Sequence, residues 1–108
     1  MITGENTTDM TPALAVHPGE LLRDELEARH MTQKELSRVL GFSYTVLNEI
    51  INGKRAFPAD LALMLEELWG TKAYIWVNLQ TDYTLQIART DKSIMQRLAN
   101  IRKIASVL

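Results

Sequence analysis

Residues 32–53 leave this chain the least freedom. Thr32 and Glu35 stand three apart just ahead of Leu36, so the Thr hydroxyl can accept from the backbone N–H of residue 35 while the carboxylate returns to that of residue 32. This spacing predicts a helix from Gln33, with Leu36, Val39 and Leu40 as its apolar stripe and Gly41 as the left-handed residue that ends it. Ser43 is placed to cap a second helix, Tyr44 to Asn52, and Asn52-Gly53 closes it. In that helix Leu47, Ile50 and Ile51 share one face, while Tyr44, Thr45, Asn48 and Glu49 share the other. Only Gly41, Phe42 and Ser43 separate the two helices, so they must cross at a large angle with their apolar faces meeting. Leu36, Leu40, Phe42, Leu47 and Ile50 fill that angle, and Ser37 is small where the helices come closest.

The flanking sequence extends the same pattern. Pro18 suits a first helical turn, and Leu22 and Leu26 repeat at four in a helix running to about Arg29. After the turn Lys54 to Pro58, Leu61, Leu65 and Leu68 mark a fourth helix that stops at Gly70. Thr71 is read as the cap of a fifth, with Ile75, Trp76, Leu79, Tyr83 and Ile87 at helical spacing. Asp91 is read as the cap of a sixth, carrying Ile94, Leu98, Ile101 and Ala105. No segment alternates at period two long enough to be a strand, so the expected fold class is all-α. With 108 residues the chain has room for one well-buried core. Its expected organisation is a flexible arm over 1–16, a helical domain over 17–88, and a C-terminal helix over 89–108 that serves pairing or partner contact.

Several function classes lose support. The chain has no Cys, which removes a thiolate zinc site and a cysteine nucleophile. His17 and His30 lie in different segments without metal-ligand spacing, so no metal is expected, and His17 is read as packing against or capping the first helix. The glycines never form a phosphate-cradling loop, and acidic pairs such as Asp24 with Glu27 fall on solvated faces, so no cofactor, catalytic residue or enzymatic activity is expected. The longest apolar runs, Leu61 to Leu65 and Ala73 to Val77, are five residues each. A spanning helix needs roughly 20. With no secretory pattern at the N-terminus, the expected location is cytoplasmic and no membrane partner is expected.

The net charge of -1 hides a sorted distribution: residues 1–28 carry -5, 29–55 carry +3, 56–88 carry -3 and 89–108 carry +4. The first basic zone coincides with the tightly joined helix pair, which is a helix-turn-helix unit suited to double-stranded DNA. Tyr44, Thr45, Asn48 and Glu49 would face base edges: Asn48 offers a donor and an acceptor to adenine, Thr45 meets a thymine methyl or donates a hydrogen bond, and Glu49 accepts from a cytosine amine or pairs with a nearby cation. Gln33, with the N–H groups opening its helix, and Asn52, Lys54 and Arg55 beyond the second helix would hold phosphates. A single module buries too little surface for tight specific binding, so a homodimer is expected. Trp76, Tyr83, Ile94, Leu98 and Ile101 are its candidate interface, the other reading being that they cover the chain's own core.

The stretch from His17 to Ala88 resembles the XRE-type, lambda-repressor-like helix-turn-helix family, and within it the HigA-type antitoxins of bacterial toxin–antitoxin modules. The resemblance rests on His17-Pro18-Gly19-Glu20-Leu21-Leu22, on Met31 to Ser37, on Leu47 to Arg55, and on Trp76-Val77-Asn78-Leu79-Gln80. It implies a five-helix DNA-binding domain with an added C-terminal helix. It also implies a homodimeric repressor that binds a palindromic operator in its own operon and neutralises a cognate HigB-type mRNA-cleaving toxin protein. Two readings stand beside it: an XRE-family regulator without a toxin partner, and a protein-interaction module that no longer reads DNA, suggested by Glu49 and the near-neutral total charge.

Overall fold

The computed structural model describes residues 15–108, and among them there are six α-helices and no strand. These are α1 (Pro18–Ala28), α2 (Gln33–Leu40), α3 (Tyr44–Ile51), α4 (Ala59–Trp69), α5 (Ala73–Arg89) and α6 (Lys92–Ala105). The expected all-α class and helix order are both observed. The expected arm lies outside the described residues apart from Ala15 and Val16, which have no regular structure.

Residues 16–81 form one compact unit. His17 opens it: its imidazole Nδ1 accepts the Gly19 N–H at 2.9 Å, and Pro18 occupies the first helical position. The Thr32–Glu35 capping box is complete, with bonds of 3.0 and 2.9 Å. Gly41 ends α2 at φ 66, a left-handed conformation that a Cβ would resist. The turn is then locked by the Phe42 N–H donating to the Ser37 carbonyl at 3.0 Å and the Ser37 hydroxyl donating back to the Phe42 carbonyl at 2.5 Å. The Ser43 hydroxyl accepts from the Val46 N–H and starts α3.

α3 packs against both α1 and α2, and Leu22, Leu36, Leu47, Ile50, Leu61 and Leu65 are fully buried between the helices. Gly19 is where α1 meets α3 most closely. A Cβ there would overlap the Ile50 carbonyl oxygen and lie 2.9 Å from its carbon. Beyond α3, Phe57 stacks flat on Trp76 with ring centroids 5.0 Å apart, and the Phe57 N–H donates to Gln80 Oε1 at 2.8 Å. The Trp76-to-Gln80 segment therefore anchors the turn that follows α3.

Four positions on the expected apolar stripes of α2, α4 and α5 are exposed: Val39, Leu68, Ile75 and Ile87. Val39 is 56% exposed because a two-turn helix wedged into a corner buries only a narrow strip centred on Leu36; Val39 lies about 60° round from it. Leu68 and Ile75 flank the ends of α4 and α5 and are also exposed. Of the two readings given for Trp76, burial favours the second: at 1% exposure it belongs to the chain's own core, and as an interface residue it is corrected, since it offers no surface to a second copy.

Residues 82–108 belong to a second unit. Asp91 caps α6 by accepting the Ile94 N–H at 3.1 Å, and Thr90 donates to the Ile87 carbonyl at the end of α5. No residue of α6 is buried, and Ile94, Leu98 and Ile101 are all exposed, whereas Tyr83 is half-buried.

Candidate nucleic-acid interface

The face of α3 opposite Leu47, Ile50 and Ile51 carries the four nominated base readers. Tyr44 and Thr45 are exposed, and Asn48 and Glu49 half-buried. Asn48 is held on both sides: its amide donates to Gln33 Oε1 at 2.9 Å, and its carbonyl oxygen accepts from the Asn52 amide at 3.2 Å. Gln33 at the start of α2 is thereby brought onto the face of α3. The capping box occupies the N–H groups of Thr32 and Glu35, while those of Gln33 and Lys34 have no intrahelical acceptor. They form the positive end of the α2 dipole.

Glu49 accepts from Arg55 through both its Nε and Nη2, at 2.8 and 2.6 Å, in an ion pair that remains partly open to water. Arg55, nominated for phosphate, is engaged by this carboxylate, and Lys54 beside it is exposed. The local charge at the end of α3 is therefore partly neutralised within the chain.

Arg23 was not legible as a member of this surface. From α1 its Nη2 donates to Asn52 Oδ1 at 2.6 Å and lies 3.4 Å from the Ile51 carbonyl. Its partner is 29 residues away, so nothing in the period of α1 marks it. The usable signal was Gly19, a poor helix former whose place inside a helix announces a close approach to another element. His17 is buried, and its pKa lies below the usual value of 6.5 because burial disfavours the charged ring, with the Arg55 backbone and the Glu20 carboxylate pulling the other way. Among the described residues no group of three or more His, Cys, Asp or Glu could hold a metal ion, and no helix is long and apolar enough to cross a membrane.

A capped helix pair on a three-residue turn, with a polar outward face on the second helix, defines a helix-turn-helix protein. The family profile "Helix-turn-helix" matches residues 22–73. Virulence-associated protein I of Dichelobacter nodosus is 40% identical over 79 residues, covering 72% of this chain and 73% of that one. An addiction module antidote protein of a HigA family from Coxiella burnetii has a similar structure, with a TM-score of 0.71, 33% identity, and coverage of 84% of this chain and 95% of that one. The Pseudomonas aeruginosa antitoxin HigA, solved with the higBA promoter, has a TM-score of 0.67 and 34% identity, with coverage of 87% of this chain and 95% of that one. The chain belongs to the XRE-type helix-turn-helix family, in its HigA-type antitoxin group.

Proposed function

We propose that this protein binds operator DNA as a homodimer, represses its own operon and neutralises an mRNA-cleaving toxin. The observation that carries the DNA half is the fixed position of Asn48, clamped between Gln33 and Asn52 on the outward face of α3. A side chain already ordered loses less freedom on meeting a base edge, and an amide presents the donor and acceptor that adenine complements. Tyr44 and Thr45 complete the reading face. Gln33, Lys54 and the N-terminal N–H groups of α2 take the phosphates. Arg55 screens the Glu49 carboxylate, which removes the main argument for a helix pair that no longer reads DNA. That the P. aeruginosa relative was solved with its promoter supports the same assignment.

Pairing is assigned to the apolar stripe of α6, Ile94, Leu98 and Ile101, together with the half-buried Tyr83 of α5. A helix carrying large apolar side chains and burying none of them needs a partner surface. Toxin neutralisation rests on membership of the antitoxin group, and copurification with the product of an adjacent toxin gene tests it.

Mobility shift on the upstream operator tests the DNA half. Thr45→Ala and Asn48→Ala should each cost about 1–3 kcal/mol and relax base choice. Lys54→Ala should weaken every duplex alike and flatten the salt slope by about one. Unchanged binding in all three variants refutes the docking of α3.

A further inference from the structure

We infer that Arg23 is a positioning residue that sets the direction of the polar network on the reading face, and through it the base specificity of Asn48. The inference rests on the DNA-binding reading above and adds a residue of α1 that lies outside the helix pair itself. Three amides stand in line, Asn52, Asn48 and Gln33, and each side-chain amide can turn either its oxygen or its nitrogen toward its neighbour. Left alone, such a chain could run in either sense. A guanidinium only donates, so Arg23 forces Asn52 to present Oδ1 to it. Asn52 must then offer its nitrogen to Asn48 Oδ1, and Asn48 its nitrogen to Gln33 Oε1. Gln33, at the end of the line, turns its own amine outward, as a donor to a phosphate oxygen. Asn48 keeps one N–H and one oxygen lone pair in a defined order along the groove, which is what separates adenine from its alternatives. The charge on the first member also strengthens the bonds after it.

Affinity is measured for the operator and for a scrambled duplex of the same length, in the wild type and in Arg23→Met. The ratio of the two affinities should fall about tenfold in Arg23→Met. In an Asn48→Ala background the same change should alter the ratio by less than about twofold, because Arg23 acts through Asn48. Asn52→Asp keeps an acceptor for Arg23 but cannot donate onward, and should lower the ratio as Arg23→Met does. Equal weakening on both duplexes with a salt slope reduced by about one would make Arg23 a direct phosphate contact and overturn the proposal. An undiminished effect in the Asn48→Ala background would overturn it as well.

A second readout needs no DNA. The side-chain NH2 resonances of Asn48 and Gln33 in the free protein should move in both Arg23→Met and Asn52→Asp, while backbone amides of the core stay in place. Unmoved resonances defeat the network, whereas moved resonances in a protein that ignores its operator uphold it and defeat only the DNA-binding assignment.

Discussion

His17 caps α1 only as a neutral imidazole, since a protonated Nδ1 has no lone pair for the Gly19 N–H. Its folded-state pKa lies below 6.5, so between those two values the unfolded chain binds more protons than the native one. This contribution to stability is complete above about pH 6.5 and is lost as the pH falls through that value toward the folded-state pKa. Urea midpoints measured from pH 7.5 down to pH 5 should drop for the wild type. In His17→Asn, which caps without titrating, that part of the slope should disappear. At this scale the sequence was legible wherever a side chain acts on backbone within a few residues of itself: Thr32 with Glu35, Ser43 and Asp91 all cap as their spacing required. Arg23 and the Glu49–Arg55 pair depend on how chain segments meet in space. The second was open to anticipation because its partners are six residues apart, whereas for Arg23 the one signal was Gly19, which marks a close approach without naming the partner.

Helix boundaries followed from caps and glycines, and most fall within a residue or two of expectation. The faces those helices bury were less legible. A stripe at helical spacing states that something covers it but not what, and so Val39 was placed inside though it is exposed, while Trp76 stayed open between an interface and the chain's own core. Gly19 shows how one residue governs the meeting of two elements. On helix propensity alone Ala would gain about 1 kcal/mol there. The added methyl instead runs into the Ile50 carbonyl, which is backbone and cannot rotate away. Gly19→Ala should therefore destabilise by about 1–3 kcal/mol in denaturant unfolding. It should also weaken operator binding beyond the loss of folded protein, because separating α1 from α3 parts Arg23 from Asn52.

Taken at the largest scale, residues 16–81 include a buried core, and residues 82–108 carry a helix that buries nothing of its own. Leu98→Glu combined with Ile101→Glu should convert a dimer to a monomer in sedimentation equilibrium while leaving the helical content of residues 16–81 intact. Operator affinity should fall far more than affinity for non-specific duplex, since only the operator rewards two correctly spaced reading helices. A variant that stays dimeric would move the pairing surface elsewhere. Periodicity alone could not assign this stripe, because an uncovered face and a core face have the same spacing. The stacking of Phe57 on Trp76 has an evolutionary consequence. It fixes the far end of the turn after α3 by an aromatic clasp within the hydrophobic interior, so Lys54, Arg55 and Ala56 hang between two fixed points without contributing to that interior. Descendants can exchange those exposed positions, and Tyr44 and Thr45 with them, to acquire new regulatory targets while the scaffold that displays them persists unaltered.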